Sequence, residues 1–203
     1  MSVEMNLKVR KKRAVSAAKT AGVDGLLVTH LPDVRYLSGF TGSNAALVLF
    51  GGRAVLFTDG RYTAQAKAEA VGSRVVIAVK PALAAACEWM EAAGVGRCGF
   101  DAAHTTVAAL ESMRKAVSGK VRRGMFVAVG SLVAALREVK DAEEIQRIRA
   151  AALLGCELFD GMLTYLEAGL SEIAVAAALE HAARLAGAEG MSLETIVASG
   201  ARS

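Results

Sequence analysis

The chain has 203 residues, of which 54 % are hydrophobic, 22 % are charged and two are prolines. This is the composition of a globular protein large enough for one full domain and part of a second, and it excludes a disordered chain. Apolar runs such as residues 45–50 are too short to span a bilayer, and the first residues lack the apolar run of a secretory signal. We therefore expect no membrane association.

The three cysteines, Cys87, Cys98 and Cys156, include no CxxC pair. An odd count without such a pair argues against a disulfide framework and against a structural zinc site. A cytoplasmic protein is the simplest interpretation.

The net charge of +4 comes in part from a basic cluster in residues 8–13. We interpret this cluster as the solvated face of a leading helix, whose other face carries Leu7, Val15 and Ala18. No aromatic residues alternate with the charges, and no known recognition motif accompanies them, so we expect no nucleic-acid partner.

The first two thirds of the chain show alternating signals for helices and strands. Helices are predicted over residues 5–21, 32–36, 62–70, 82–93 and 105–117, and strands over residues 25–29, 45–50, 53–58, 74–79, 97–100 and 126–129. Only Gly51 and Gly52 separate the second and third strands, and two successive glycines suit the tight turn of a hairpin. The pattern predicts an α/β fold with a mixed β-sheet flanked by helices.

A domain boundary is predicted near residues 137–141, where the period of the pattern changes. Asp141 and Glu144 have the spacing of a capping box at the start of a helix that ends at Gly169. A second helix is predicted from Ser171, and residues 195–198 are predicted to form a strand. The first of these helices carries one apolar stripe, formed by Ile145, Ile148, Ala152, Cys156, Phe159, Leu163 and Leu166. This segment has little to bury its apolar faces against, so we expect it either to pack on the first domain or to continue beyond Ser203.

Three motifs that carry hydrolytic or nucleotide chemistry are absent from the sequence: there is no GxSxG, HExxH or GxxxxGK[ST]. His30, His104 and His181 fall in three different predicted elements, and we interpret each as a surface or capping histidine. Ser43 is interpreted as a turn residue rather than a nucleophile, because no histidine is paired with it locally.

One polar cluster, the TDGRY segment of residues 58–62, follows directly after a predicted strand. An arginine beside glycine at a strand end can present its planar fork to a carboxylate or a carbonyl. The residues alone favour a different role for Arg61, an internal ion pair with Asp59 or Asp33.

Three segments, in this order and spacing, resemble the family of creatinase, prolidase and Xaa-Pro aminopeptidase. They are LPDVRYLSGFTGSN at residues 31–44, TDGRY at residues 58–62 and LREVKDAEEI at residues 136–145. Shorter similarities at residues 148–149, 169–172, 187–190 and 195–200 extend the resemblance to the end of the chain. The sequence departs from the family pattern at His30 and Asp33, where asparagines are expected, and at Leu193, where an aromatic residue is common.

The resemblance implies a creatinase-like amino-terminal domain over residues 1–137 and, over residues 138–203, the first helices and strand of an incomplete pita-bread metallopeptidase domain. The family's second domain binds two divalent ions, of the manganese, cobalt or zinc type, through two aspartates, one histidine and two glutamates. None of these positions is matched here, so we expect no catalytic or metal-binding residue in this chain and no activity from it alone. Arg61 is the one residue carried over, because in some relatives the matching arginine reaches the substrate, in several cases in the neighbouring subunit.

The resemblance predicts the front section of a proline-specific metallopeptidase that acts on proline-containing peptides and forms a homodimer. The GFTGSNA and TDGRY segments are more similar to Xaa-Pro aminopeptidases than to prolidases, which favours release of the residue that precedes proline. The alternative is a non-catalytic module of the same family that serves oligomerisation or protein binding.

Overall fold

Two compact units, Met1–Val139 and Lys140–Ser203, make up the chain. The structure is a computed structural model that describes residues 3–119 and 124–203. No helix within these residues is long and apolar enough to cross a bilayer.

The first unit alternates helices and strands. Its elements are α1 (Val3–Thr20), β1 (Gly25–Val28), α2 (Leu31–Ser38), β2 (Ala46–Phe50), β3 (Arg53–Thr58), a 3₁₀ turn (Gly60–Tyr62), α3 (Thr63–Glu69), β4 (Arg74–Ile77), α4 (Ala82–Ala92), β5 (Cys98–Asp101), α5 (Val107–Lys115), β6 (Phe126–Val129) and α6 (Leu132–Glu138). The sequence pattern does not predict α6, which lies just before the expected domain boundary.

The sheet has the strand order β4-β3-β2-β1-β5-β6. The pairs β1–β2 and β2–β3 are antiparallel, whereas β1–β5, β3–β4 and β5–β6 are parallel. The prediction of a mixed sheet flanked by helices is therefore confirmed.

The β2–β3 hairpin turns at Gly51 and Gly52, whose φ angles are 58° and 74°. A tight turn of this kind requires positive φ at both central residues, which glycine adopts without steric cost. The ladder pairs Phe50 with Arg53 at the turn and Ala46 with Phe57 at the other end. Continued two residues further, this register places Asn44 opposite Asp59.

Alternate residues of the strands pack into two separate clusters, one on each face of the sheet. Leu47, Leu49 and Leu56 belong to the cluster that also contains residues of α1 and α2. Val48 and Phe57 belong to the cluster that also contains residues of α4. This alternation is the period-two pattern of strands buried on both faces.

Helix α1 buries Leu7, Ala14 and Ala18. The interpretation of its basic cluster as fully solvated is wrong for two residues. The guanidinium of Arg10 lies 4.4 Å from the ring centroid of Tyr36 and donates a hydrogen bond to the Tyr36 carbonyl. Lys11 Nζ donates to the carbonyl oxygens of Val71 and Gly72, at 2.8 Å each. Long basic side chains can cover apolar surface and cap loop carbonyls while their helix stays amphipathic.

The second unit contains α7 (Ala142–Tyr165), α8 (Glu172–Leu185) and a 3₁₀ turn (Gly200–Arg202). The predicted capping box is confirmed, because Asp141 Oδ1 accepts the N–H groups of Glu143 and Glu144 and Glu144 Oε2 accepts the N–H of Asp141. The apolar stripe predicted on α7 is exposed: Phe159 is 61 % and Leu163 55 % accessible, whereas Met162 is buried.

The strand predicted over residues 195–198 is wrong, because these residues form no ladder. A strand requires a neighbour to accept and donate its backbone hydrogen bonds. Every ladder within the described residues belongs to the sheet of the first unit, so no strand of the second unit is there to pair with these residues.

Candidate functional site

A polar cluster lies where β2 begins and β3 ends. Its members are Ser43, Asn44, Thr58, Asp59, Arg61 and Tyr62, brought together by the hairpin register. Asn44 Nδ2 donates to Asp59 Oδ2 at 2.6 Å, and Thr58 Oγ1 donates to the Asn44 carbonyl at 2.6 Å. The side chain and the backbone of Asn44 thus connect the turn before β2 to the end of β3.

Asp59 and Arg61 form a doubly hydrogen-bonded ion pair. Arg61 Nε donates to Asp59 Oδ1 at 2.9 Å and Nη2 donates to Oδ2 at 2.9 Å, while the Arg61 backbone N–H also donates to Oδ1. Hydrogen bonds from Arg61 and then from Asn44 hold the pKa of the Asp59 carboxyl well below its usual range, and the bond to Asp59 raises the pKa of Arg61. Both groups are therefore charged throughout the neutral and mildly acidic range.

The residue-based expectation that Arg61 pairs internally is confirmed for Asp59 and wrong for Asp33. Asp33 is only 2 % accessible, and its Oδ1 accepts a hydrogen bond from Arg137 Nη1 of α6 at 2.8 Å. An unpredicted helix thus supplies one of its partners, and His30 Nδ1 lies 3.2 Å from the other carboxylate oxygen, Oδ2.

The ion pair leaves much of the Arg61 guanidinium available to a ligand. A guanidinium carries five N–H donors, and the bonds to Asp59 use one on Nε and one on Nη2. The side chain of Arg61 is 71 % accessible, and the Nη1 end of the fork makes no hydrogen bond to the described residues. Asp59 orients the fork, and its open end can donate two parallel hydrogen bonds to a carboxylate or to a peptide carbonyl.

The aromatic ring of Tyr62 lies beside Arg61 in the polar cluster. The guanidinium lies 5.3 Å from the Tyr62 ring centroid, and the Tyr62 ring meets Phe40 edge-on with centroids 5.7 Å apart. The hydroxyls of Ser43 and Tyr62 are 2.6 Å apart, and this hydrogen bond lowers the pKa of Tyr62, with the positive charge of Arg61 contributing less. The sequence pattern identifies Ser43 only as a turn residue and does not reveal this pair.

The turn before β2 is fixed to α3. Glu69 accepts hydrogen bonds from the backbone N–H and the hydroxyl of Thr41 and from Gln65 Nε2. Burial by itself raises the pKa of Glu69, but the bonds from Thr41 and Gln65 outweigh it and leave the pKa lowered. A Cβ at Gly42 would meet the Phe40 ring and would lie 2.8 Å from Tyr62 Cδ1, so this position requires glycine.

Two of the three histidines stack on each other. His30 follows β1 and His104 follows β5, and their ring centroids are 3.8 Å apart at an interplanar angle of 17°. His104 Nδ1 lies 2.9 Å from Asp101 Oδ2. The sequence places the histidines in separate elements but does not show that β1 and β5 are neighbouring parallel strands whose carboxyl ends meet. His181 belongs to the second unit and is exposed on α8.

The described residues do not fit a two-metal centre. No group of three or more His, Cys, Asp or Glu side chains among residues 3–119 and 124–203 is arranged to hold a metal ion. We therefore assign no metal ligand and derive no metal-dependent step from this chain.

The thiols offer no nucleophile in the first unit. Cys87 and Cys98 are buried and free, and burial raises the pKa of Cys87 to about 12 and raises that of Cys98 as well. A thiol that stays protonated is a poor nucleophile and a poor metal ligand. Cys156 is exposed on α7 and unpaired with another cysteine.

Comparisons with known proteins place this geometry in a family. Residues 10–139 match the model of the creatinase/prolidase N-terminal domain, and residues 146–203 match that of metallopeptidase family M24. The first match covers more than half of the chain. The chain therefore belongs to the creatinase/prolidase family, in which Xaa-Pro peptidases occur.

Three relatives define the similarity more closely. The chain is 37 % identical over 182 residues to the uncharacterised peptidase YqhT of Bacillus subtilis (strain 168), covering 90 % of this chain and 50 % of YqhT. It is similar to the Xaa-Pro dipeptidase of Bacillus anthracis, with a TM-score of 0.85 and 29 % identity over 93 % of this chain and 52 % of the other. It also matches the N-terminal domain of cytoplasmic peptidase PepQ from Mycobacterium tuberculosis H37Rv, with a TM-score of 0.60 and 35 % identity over 64 % of this chain and 98 % of that one. The chain thus spans about half the length of the first two relatives.

Proposed function

We propose that this chain is the amino-terminal section of a proline-specific peptidase, of the Xaa-Pro aminopeptidase type, that releases the residue preceding proline. The observation that carries the proposal is the Arg61 fork, held by Asp59 within a segment that resembles Xaa-Pro aminopeptidases. The similarity to a peptidase and to an Xaa-Pro dipeptidase supports the broader class. The preference for aminopeptidase over prolidase rests on the GFTGSNA and TDGRY segments.

In this proposal the chain binds peptide rather than cleaving it. Arg61 donates from the open end of its guanidinium to a peptide carbonyl or a terminal carboxylate, while Asp59 and Asn44 keep the fork in one orientation. The fork serves the site of a neighbouring subunit in a homodimer. The two divalent ions belong to the longer protein and not to residues of this chain.

We also propose a cytoplasmic location. It is supported by the 35 % identity to a domain of a protein described as a cytoplasmic peptidase and by the free, buried thiols of Cys87 and Cys98.

The competing candidate is a non-catalytic module of the same family. It is favoured by one observation, namely the exposed apolar side chains of α7, among them Phe159 and Leu163, which suit a protein contact. Such a module would serve oligomerisation or protein binding without hydrolysis.

Activity measurements separate these functions. The complete gene product and the 203-residue chain are each assayed with manganese against an Xaa-Pro-Yaa tripeptide and an Xaa-Pro dipeptide. We expect the complete product to release the first residue of the tripeptide and the 203-residue chain to show no turnover. Cleavage of the dipeptide alone would indicate a prolidase, and no cleavage by the complete product would favour the module. Metal-dependent turnover by the 203-residue chain would overturn the assignment of catalysis to other residues.

The role of Arg61 is tested by Arg61→Lys in the complete gene product. Lysine keeps the charge but cannot donate two parallel hydrogen bonds. If Arg61 binds substrate, kcat/KM falls roughly ten- to a hundredfold, as for loss of a charge-assisted hydrogen bond worth about 1.5–3 kcal/mol. Arg114→Lys is the matched control, because Arg114 is exposed on α5 and its one ion pair among the described residues is with Glu111. An unchanged kcat/KM in well-folded Arg61→Lys protein would leave Arg61 a purely structural role.

A further inference from the structure

A groove runs between α1 and the β2–β3 hairpin, on the face of the sheet that α1 covers. It consists of two adjoining depressions with volumes of about 650 Å³ and 510 Å³. Both are lined by Val15, Leu49 and Gly52, so they form one continuous feature, which we call the α1 groove.

The spacing of residues along α1 explains one wall of the groove. Lys8, Lys12, Val15 and Lys19 recur every three or four residues, and so lie on one side of the helix. From Lys8 to Lys19 this side is about 17 Å long at 1.5 Å per residue. The β2–β3 hairpin forms the opposite wall. This wall is low at the turn, because Gly51 and Gly52 have no side chains.

The floor of the groove is apolar. Leu49 is 2 % accessible, and the half-buried Val15 packs against the same cluster. Phe50, the one aromatic residue among the described residues that line the groove, packs against the cluster on the other face of the sheet. Its ring is therefore not a stacking platform for a nucleobase.

The rim of the groove is cationic and lacks compensating charge. Lys8, Lys12 and Lys19 are exposed and make no hydrogen bond or ion pair to another described residue. Asp24, the one carboxylate among the described residues that line the groove, accepts hydrogen bonds from the backbone N–H groups of Gly96 and Arg97. The rim therefore presents unpaired ammonium groups above an apolar floor.

We infer that the α1 groove binds an extended acidic peptide segment that carries aliphatic side chains. Carboxylates of the segment pair with Lys8, Lys12 and Lys19, and an aliphatic side chain lies over Val15 and Leu49. At about 3.3 Å per residue, an extended segment of about five residues fits the length of the lysine row. A nucleic acid is disfavoured because its bases would find no aromatic face in the groove.

Binding is measured with the full 203-residue chain and fluorescein-labelled probes. The first probe is a hexapeptide of four glutamates and two central leucines, and the second has serines in place of the leucines. The third probe is an oligothymidylate of the same net charge. We expect the leucine peptide to bind about tenfold more tightly than either of the others, since only this probe combines aliphatic side chains for the apolar floor with carboxylates for the cationic rim. Equal binding of the serine peptide, or tighter binding of the oligothymidylate, would overturn the inference.

Two double variants locate the binding. Lys8→Glu with Lys12→Glu reverses two rim charges, and we expect it to weaken binding of the leucine peptide by about tenfold or more. Lys67→Glu with Lys115→Glu makes the same change in net charge at exposed residues outside the groove, and we expect it to leave the affinity within about twofold. Circular dichroism verifies that both variants are folded. Equal losses in the two variants, or no loss in the first, would show that the groove is not the binding site.

Discussion

Two aspartates at strand ends illustrate how neighbouring groups set the charge of a single residue. Asp59 directly follows β3 and is held ionised by Arg61 and Asn44. Asp101 is the last residue of β5, where burial by itself raises its pKa. Hydrogen bonds from His104, the Ala103 N–H and Ser131 outweigh burial and leave the pKa of Asp101 lowered. Each aspartate therefore connects a strand to the loop that follows it.

A lowered pKa makes Asp101 a source of pH-dependent stability. Because the folded pKa lies below the unfolded value of about 4, the stabilisation is fully present above that value and is lost as pH falls through the folded pKa. We predict that Asp101→Asn lowers the free energy of unfolding at pH 7 by about 1 kcal/mol, a modest value because His104 is partly exposed. The difference from the unsubstituted protein should shrink steadily below about pH 4.

Urea unfolding between pH 2 and pH 7, followed by fluorescence, measures this effect. Trp89 is the only tryptophan of the chain and lies in the first unit, so its emission reports the unit that contains Asp101. Glu111→Gln is the control, since Glu111 forms an exposed pair with Arg114. A pH-independent difference for Asp101→Asn would contradict the assignment.

The hairpin is the element whose backbone depends most directly on residue type. Gly52 has a φ of 74°, and no atom lies within 4 Å of the place that a Cβ would occupy, so alanine there meets strain but no clash. We predict that Gly52→Ala destabilises the first unit by about 1 kcal/mol, the usual cost of placing an L-residue in the left-handed region. Gly130→Ala is the matched control, because Gly130 also has open space but no positive φ. Trp89 fluorescence in urea measures both, and equal stability of the two variants would contradict the turn conformation.

The elements that sequence alone predicts are those specified by local chemistry. The glycine pair of the hairpin and the Asp141–Glu144 capping box are both local, and both follow from the sequence. The stacking of His30 on His104 depends on which strands are neighbours, and no local pattern contains that information. The strand predicted over residues 195–198 is wrong for the same reason, because a strand requires a partner that lies elsewhere in the chain.

In the candidate site, too, sequence alone indicates the contacts between residues that are close in the chain and not those between distant residues. Local spacing identifies Arg61 and offers Asp59, two residues away, as a partner, but it leaves Asp33 open as the alternative that the structure excludes. The bonds from Asn44 to Asp59 and from Ser43 to Tyr62 cross the hairpin and bridge 15 and 19 positions of sequence. The hairpin register could have revealed the first of these, because residues 44 and 59 are opposite once Ala46 pairs with Phe57.

At the scale of the whole molecule, the surface of the second unit suggests association. Phe159 and Leu163, one turn apart on the same side of α7, and Ile173 of α8 are all more than half exposed, and large apolar side chains grouped on a surface usually mark a contact. We predict that the 203-residue chain self-associates and that Phe159→Glu with Leu163→Glu shifts it towards monomer. Val107→Glu, at an exposed valine of α5, should leave the association unchanged. Sedimentation velocity at several concentrations measures this, and a strictly monomeric chain at high concentration would contradict it.

The order of strands also has a consequence for synthesis of the chain. Gly25 pairs with Phe50 on one side of β1 and with Cys98 on the other, so its two neighbours become available at different times on the ribosome. The β1–β2–β3 meander can form as soon as about 60 residues have emerged, because its strands are consecutive in the chain: residues 29–45, which include α2, join β1 to β2, and two glycines join β2 to β3. Until β5 arrives, the nascent meander exposes the open edge of β1, an apolar strand with unpaired backbone groups. Translation of residues 59–97 is thus the interval in which this chain is most open to mispairing with another copy of itself or to capture by a chaperone.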